Sequence, residues 1–533
     1  MSPETLLLLA LGALAIVAAV RWIGERTGLP AAALLPVVGI LYALLPGPNI
    51  SLDPHIALTF ILPPLLYSAA LDSSLLAIRA NLRIVIGLSV LLVLATALLI
   101  GAGFALFVAG ATLAAGVAVG AACAPPDPVA ALAVGRKVGL PPRLITIIQG
   151  EGLLNDATAL TILNVAVAAA VGGHFSAPMA AGLFLLAAAG GTAVGIGVAY
   201  LVRMLRPIAK DALLANALSL ATPFVAYLVG ERLHVSGVLA VVVAGLIVGH
   251  DTPRSGTGAS RLQTSAVWRL VDFLLEGLVF LLIGQQLPAV LRGLRQYTAG
   301  TIVTALVISV GVTLLLRPVW LVLTQAAHLL LRREDEGLAG REIAALSWAG
   351  TRGVISLAAV FTIPLTTDAG EPFPDRDLLL FCTFVVVLVT LVGQGLSFAP
   401  LVRLLKLRHN AVDDARERNE ARAATVHAAL DRLDDLDQDE PAERAEIDAL
   451  RRKLKERLQR YEHRLDLLKD ADSDELPVSE RYEAGLRIRR LAIEAQREEL
   501  LRRRDAGLLS DEALRRLERE LDHEERVLPD RPA

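Results

Sequence analysis

The strongest constraint in this sequence is a series of long apolar runs that occupies the first 404 residues. Thirteen runs reach or approach the roughly 20 residues that a helix needs to cross the hydrocarbon core of a membrane. A mean hydropathy of +0.56 agrees with this reading, because a soluble chain cannot bury so much apolar surface. The runs are residues 5–20, 31–46, 54–71, 84–107, 111–133, 145–171, 178–203, 212–231, 234–249, 267–289, 299–331, 341–365 and 377–404.

The charges in the connections between these runs predict an orientation. If the N-terminus is outside, the inner connections carry many more lysines and arginines than the outer ones, as membrane proteins prefer. This bias supports thirteen spans with the N-terminus outside and the C-terminus inside. The inner set is Arg21, Arg26, Arg79, Arg83, Arg136, Lys137, Arg143, Arg203, Arg206, Lys210, Arg254, Arg261, Arg269, Arg332, Arg333 and Arg341, and the outer set is Arg232, Arg292, Arg295 and Arg376.

The composition changes near residue 405, where charged residues replace the apolar runs. We predict a membrane domain over residues 1–405 and a helical cytoplasmic tail over residues 406–533, with a break at 474–479. Leucines recur at helical spacing in the tail, as at Leu450 and Leu454. The tail is interpreted as a solvated or dimerising helical hairpin, and a regulatory module is the alternative.

Some classes of partner find no support in the sequence. The net charge is −3, which gives no indication of a nucleic-acid partner. The two cysteines lie in apolar runs and are interpreted as small buried side chains. No Gly-rich phosphate loop or Cys/His cluster predicts a cofactor.

Two of the spans contain residues that interrupt a helix. Pro125, Pro126 and Pro128 surround Asp127 and remove backbone donors, so the fifth span should break there. A simple proline kink, with Asp127 as a helix cap, is the alternative. In the twelfth span, a second break is predicted around Gly350 and Gly353.

The positions of these two breaks favour a particular fold class. Spans five and twelve are an odd number of spans apart, so they cross the membrane in opposite directions. Inverted-repeat transporters place interrupted helices at their midplane site in this way. We therefore predict an all-α polytopic membrane protein with about thirteen transmembrane helices, inverted repeats and two broken crossing helices.

The sixth span begins with an unusual cluster of oxygen-bearing side chains. Glu151, Asn155, Asp156 and Thr158 lie within about two turns of an otherwise apolar helix. Carboxylates at membrane depth cost at least ~2.5–3.5 kcal/mol each on insertion scales, and oxygen ligands replace the water of an alkali cation. A cation site is therefore predicted, with polar contacts between helices as the alternative.

Four other charged side chains at membrane depth need a partner or a role. Arg352 is predicted to pair with Glu151, or alternatively to extend to the inner surface. Asp272 and Glu276 lie one turn apart in span ten, where they line either the ion pathway or an inner aqueous funnel. A structural ion pair is the expected role of Arg317.

The motifs together resemble the monovalent cation:proton antiporters of the cation/proton antiporter-1 type. The resemblance covers roughly residues 5–405 and depends on four motifs in order. They are Phe60-Ile-Leu-Pro-Pro-Leu-Leu-Tyr67, Pro126-Asp-Pro-Val-Ala130, Glu151-Gly-Leu-Leu-Asn-Asp-Ala157 and Trp348-Ala-Gly-Thr-Arg-Gly353.

This resemblance implies an architecture and a set of site residues. It implies a homodimer in which a core domain, including spans near 54–171 and 299–404, moves against a dimerisation domain in a bacterial plasma membrane. It implies that Asp156, beside Asn155, is the shared ligand of cation and proton. It also implies that Asp127 is the broken-helix ligand and that Glu151 and Arg352 form a structural pair.

Three positions depart from the family pattern. Pro126 replaces a frequent Thr, Ser68 stands where many prokaryotic members have an acidic residue, and Gly152 replaces a frequent Ser. We expect Asp156 and Asp127 to hold a monovalent cation, with Asn155, Thr158 and Ser68 as further oxygen ligands. The ions are substrates, and no cofactor is expected.

The function predicted from the sequence is exchange of Na+, or of Li+ or K+, for H+. Because Asn155 cannot titrate, one carboxylate carries either ion, and electroneutral exchange is expected. A K+/H+ antiporter is the alternative with the same mechanism. A cation channel, a membrane sensor and a sodium-coupled symporter are alternatives from other classes.

Overall fold

The protein is described here from a computed structural model. The structure describes residues 3–45, 56–172, 177–209, 211–254, 257–330, 337–407, 411–439, 444–469, 480–526 and 528. The chain divides into two compact units, Met1–Arg408 and His409–Ala533. The break predicted at residues 474–479 lies outside the described residues.

The first unit is helical throughout its described part, apart from short connections. Its longest helices contain 25 to 32 residues, enough to cross a bilayer. In chain order the helices are α1 Pro3–Thr27, α2 Ala31–Ala43, α3 Ala57–Leu71, α4 Leu75–Ala80, α5 Leu82–Phe107, α6 Leu113–Cys123, α7 Pro128–Val138, α8 Pro142–Val171, α9 Ala177–Leu205, α10 Ala212–Arg232, α11 Gly237–Asp251, α12 Gly258–Gln285, α13 Leu287–Arg292, α14 Ala299–Leu330, α15 Gly340–Trp348, α16 Val354–Phe361 and α17 Arg376–Leu404.

The all-helical membrane fold predicted from the sequence is confirmed. Nine helical spans within the described ranges are long and apolar enough to cross a membrane, and α2 and α3 are shorter apolar helices. The remaining two predicted spans coincide with α12 and with the interrupted α15–α16 pair. The total of thirteen spans stays a prediction, because α2, α3, α12 and α15–α16 are each shorter or less apolar than these nine spans.

Two groups of helices can be distinguished in the first unit by their most extensive contacts, and buried residues of both groups share one hydrophobic core. In one group, α6 packs against α5, α8, α16 and α17, and α14 packs against α5 and α17. In the other, α12 packs against α1, α2, α3 and α10, while α11 packs against α3, α9 and α10. The interrupted helices therefore belong to the first group, and α12 forms a wall of the second.

The described residues of the second unit form four helices, α18 Ala411–Asp439, α19 Arg444–Lys469, α20 Glu480–Asp505 and α21 Asp511–Arg526. Contacts of Ala415 with Leu468 and of Ala423 with Leu458 show that α18 and α19 form an antiparallel hairpin. Most of their other side chains are exposed, because few positions along each helix are apolar.

Candidate functional site

The two interrupted helices meet at their breaks, and we call this meeting point the crossing. Residues 124–127 separate α6 from α7, and residues 349–353 separate α15 from α16. The amide N of Asp127 donates to the carbonyl O of Thr351 at 2.6 Å, and the Thr351 hydroxyl donates to the carbonyl O of Asp127 at 2.8 Å. Backbone groups that the prolines and glycines free from helical bonding thus hold the two breaks together.

Two helix N-termini face the carboxylate of Asp127. Its Oδ1 accepts a hydrogen bond from the amide N of Val129 at 2.9 Å, so Asp127 caps α7. A side chain at Gly353, the cap residue of α16, would overlap the Asp127 carboxylate. Because helix N-termini carry partial positive charge, both ends favour an anion here. The capping role and a role in ion binding are compatible.

Arg352 neutralises the opposite, C-terminal ends of the interrupted helices. It is 3% exposed, so it does not extend to the membrane surface. Its guanidinium donates to the carbonyl oxygens of Cys123 and Ala124 at the end of α6, at 2.9 and 3.2 Å, and to the carbonyl O of Gly350. Carbonyls at helix C-termini carry partial negative charge, so these bonds of the arginine stabilise the crossing.

The predicted pairing of Glu151 with Arg352 is wrong. Glu151 is instead held by both terminal nitrogens of Arg317 from α14, with one of the two bonds at 2.8 Å. Arg317 Nε also donates to the carbonyl O of Leu346 in α15, at 2.7 Å. Both side chains of the pair are almost completely buried, and the planar guanidinium matches the carboxylate in two bonds. The structural pair expected for Arg317 is thus formed with Glu151.

Asn155 and Asp156 bring α8 to the crossing. Asn155 is completely buried, and its Nδ2 donates to the carbonyl O of Pro126 at 2.7 Å. Its Oδ1 is buried and has no hydrogen-bond partner in the described part of the chain. Asp156, the next residue of α8, is 3% exposed. Two carboxylates and an unpaired amide oxygen at one place suit a positively charged ion.

Close packing explains Gly152, one of the departures from the family pattern. A Cβ at this position would lie 2.5 and 2.6 Å from the Cγ and Cδ atoms of Pro128. A serine would therefore clash with the ring that begins α7. The glycine lets α8 approach α7 closely, at the cost of one hydroxyl oxygen.

The structure does not bring Ser68 and Thr158 into the same bonding network. The Ser68 hydroxyl donates to Oδ2 of Asp272 in α12 at 2.5 Å. The Thr158 hydroxyl donates within its own helix, to the carbonyl O of Leu154 at 3.3 Å. Their assignment as cation ligands therefore stays a prediction.

Sequence reasoning missed two contributors to this site. Thr351 belongs to the Trp348–Gly353 motif, and a hydroxyl at the predicted break is the signal that could have identified it. Thr390 gave no such signal, because it lies in an apolar run, although its hydroxyl accepts from the amide N of Arg352 at 3.0 Å. Both hydroxyls hold the crossing together through hydrogen bonds to the backbone.

Comparison with known families identifies the family of this chain. A family model described as "Sodium/hydrogen exchanger, transmembrane" matches residues 12–404. The chain belongs to the sodium/hydrogen exchanger family. It is therefore a multi-pass membrane transporter and not an enzyme, and the family resemblance inferred from the motifs is confirmed.

Individual relatives of this sodium/hydrogen exchanger support the same assignment. An uncharacterised Na+/H+ exchanger of Mycobacterium tuberculosis is 34% identical over 98% of this chain and 96% of that protein. A "sodium, potassium, lithium and rubidium/H+ antiporter" of Bacillus pumilus is 31% identical over 74% of this chain and 61% of its own length.

A solved structure shares the fold of this exchanger. The sodium proton antiporter MjNhaP1 of Methanocaldococcus jannaschii superposes with a TM-score of 0.58 and 19% sequence identity. The match covers 75% of this chain and 99% of that one. Because the identity is low, this likeness concerns the fold, and the site must be argued from the residues of this chain.

Proposed function

We propose that this exchanger moves one monovalent cation against one proton, with both ions competing for the carboxylate of Asp156. One observation carries the proposal: a buried carboxylate and an unpaired buried amide oxygen, on Asp156 and Asn155, lie at the crossing of two interrupted helices. Asp127 contributes a second carboxylate, and its own capping bond keeps it in place.

Competition for one carboxylate is sufficient to couple the two ion fluxes. A buried charge without a counter-ion is costly, so an empty ionised site resists passage through the apolar barrier. A proton or a cation neutralises Asp156, and either loaded form can change its accessible side. The exchange therefore needs alternating access, which we assign to motion of the group containing the interrupted helices against the group containing α12.

The assembly and orientation belong to the same proposal. We propose a homodimer in the plasma membrane of a bacterium, with the N-terminus outside and residues 406–533 in the cytoplasm. The excess of basic residues in the inner connections supports this orientation. The dimer follows the family resemblance.

Na+ is the cation we expect first, and K+ or Li+ transport is the second candidate. The Bacillus pumilus relative is named as a sodium, potassium, lithium and rubidium/H+ antiporter, which supports several alkali cations as candidate substrates here. In this chain, Pro126, Ser68 and Gly152 leave fewer side-chain oxygens than the family pattern provides. A site with fewer fixed oxygens discriminates less between ions by size.

Everted membrane vesicles provide the test of the antiport itself. Respiration acidifies the lumen, and a fluorescent pH dye reports proton release when Na+, Li+ or K+ is added to the medium. We expect release on addition of at least one cation, compared with vesicles from cells that lack the protein. No release with any cation between pH 6 and 9 would contradict the proposal.

Exchange through this site is expected to be electroneutral. Asn155 cannot carry a proton, so one positive charge moves in each direction. In proteoliposomes, the equilibrium ion ratio should not change when the membrane potential is set with valinomycin and K+ gradients. One net charge per cycle would instead shift that ratio by about 50-fold per 100 mV.

A further inference from the structure

A cavity of about 680 Å³ connects the interrupted helices with the surface of the membrane unit. It lies between α1, α2, α7, α12 and the end of α17. Its wall includes Val129, whose amide N donates a hydrogen bond to the carboxylate of Asp127, and Glu276 of α12. The cavity therefore extends to the residue that adjoins the proposed ion site.

Glu276 is a carboxylate in this cavity without an ion-pair partner in the described part of the chain. Arg21 of α1 lies over the ring of Phe273, one turn away, at 4.8 Å from the ring centroid. Yet Arg21 donates to Glu25, at 3.2 Å, rather than to Glu276. A largely buried negative charge without a partner is costly, and a cation in the cavity would neutralise it.

The helix that carries Glu276 is fixed to the second helix group. One turn earlier, Asp272 accepts a hydrogen bond from the Ser68 hydroxyl in α3, and its Oδ1 is buried with no hydrogen-bond partner among the described residues. Near the end of α12, a Cβ on Gly39 of α2 would lie 3.1 Å from the Cα of Gly284. Helix α12, which carries Glu276, is thus held by α2 and α3, whereas Asp127 belongs to the interrupted helices.

The remaining charges of the cavity differ from Glu276 in exposure. Five other charged side chains line the cavity, and all of them are exposed: Arg21 and Glu25 of α1, Lys137 of α7, Arg403 of α17 and Lys406 just after it. Water and salt screen exposed charges strongly, but they screen a carboxylate deep in the cavity much less. The attraction of a cation to Glu276 is therefore screened less than its repulsion by the exposed basic side chains.

We propose that Glu276 is a staging site for the transported monovalent cation, used only when the ion site opens to this cavity. The inference depends on the proposed antiport. The carboxylate raises the local cation concentration beside Asp127 without travelling with the interrupted helices. It therefore increases cation affinity from one side of the membrane, while the maximal rate is set elsewhere.

The test is a comparison of cation affinity from the two faces of the membrane. Wild type and Glu276→Gln are assayed in everted and in right-side-out vesicles, with a pH gradient imposed by ammonium dilution. We expect the half-saturating Na+ concentration to rise about three- to tenfold on one face only. The maximal rate at saturating Na+ should stay close to that of wild type.

Glu276→Asp provides the matched control, because it retains the charge and should restore most of the affinity on the affected face. Size-exclusion profiles in detergent establish that both variants fold. Equal changes on both faces, no change on either face, or complete loss of transport in a folded variant would each overturn the staging role. A wild type without cation-dependent proton flux would instead contradict the antiport itself.

Discussion

Replacement of Asp156 by asparagine is expected to reduce cation-dependent proton release to the level of vesicles that lack the protein. The amide has nearly the same size as the carboxylate, so the packing at the crossing should survive. It can neither bind a proton nor balance the charge of a cation, so both half-reactions of the exchange fail. Dye-based flux in everted vesicles measures the rate, and size-exclusion chromatography measures the amount of folded protein.

Thr161→Val is the matched control for this prediction. Thr161 lies on α8 a little more than one turn beyond Asp156, and its hydroxyl donates within the helix to Ala157, at 2.7 Å. The substitution changes a polar side chain on the same helix without removing a proposed ligand, so transport should persist. Normal exchange by Asp156→Asn would show that another residue is the shared ligand of cation and proton, with Asp127 as the next candidate.

The second large effect is expected at the buried pair of Glu151 and Arg317. Either Glu151→Gln or Arg317→Gln leaves one buried charge without its partner, which costs about 3–5 kcal/mol. Domains are commonly stable by only about 5–15 kcal/mol, so either change should strongly reduce the yield of folded protein. Thermal unfolding in detergent, followed by tryptophan fluorescence, measures the loss.

A pair of double-mutant cycles decides which arginine is the partner of Glu151. The Glu151/Arg317 cycle should show a coupling of roughly 2–3 kcal/mol, because the second neutralisation removes the charge that the first left unpaired. The Glu151/Arg352 cycle should show a smaller coupling, because the bonds of Arg352 go to carbonyl oxygens. A larger coupling with Arg352 would contradict the geometry described above.

Some features of this protein could be predicted because they depend on local chemistry. Apolar runs of span length must enter lipid, and three prolines within four residues cannot continue a helix, so the membrane fold and the break at Asp127 followed from short segments. The same holds for the cluster on α8, where the positions of Asn155 and Asp156 in one helix put both side chains near the break.

Other features needed the packing of distant segments. Two buried arginines were available to Glu151, and only the arrangement of α8, α14 and α15 selects Arg317. Ser68 was expected at the cation site, but α3 faces α12, where Asp272 takes its hydroxyl. The exclusion of a side chain at Gly152 likewise depends on Pro128, which belongs to another helix.

The sequence by itself thus determined the membrane fold, the interrupted helices, the family and the carboxylates that need a counter-ion. Hydrophobicity, helix periodicity and the missing amide of proline act within one segment and leave their pattern there. Tertiary structure alone decided which charges pair, which carbonyls Arg352 neutralises and that Glu276 lines a cavity beside α7. Such contacts depend on which helix faces meet, and side chains more than 150 residues apart, as in the Glu151–Arg317 pair, leave no local pattern that predicts their meeting.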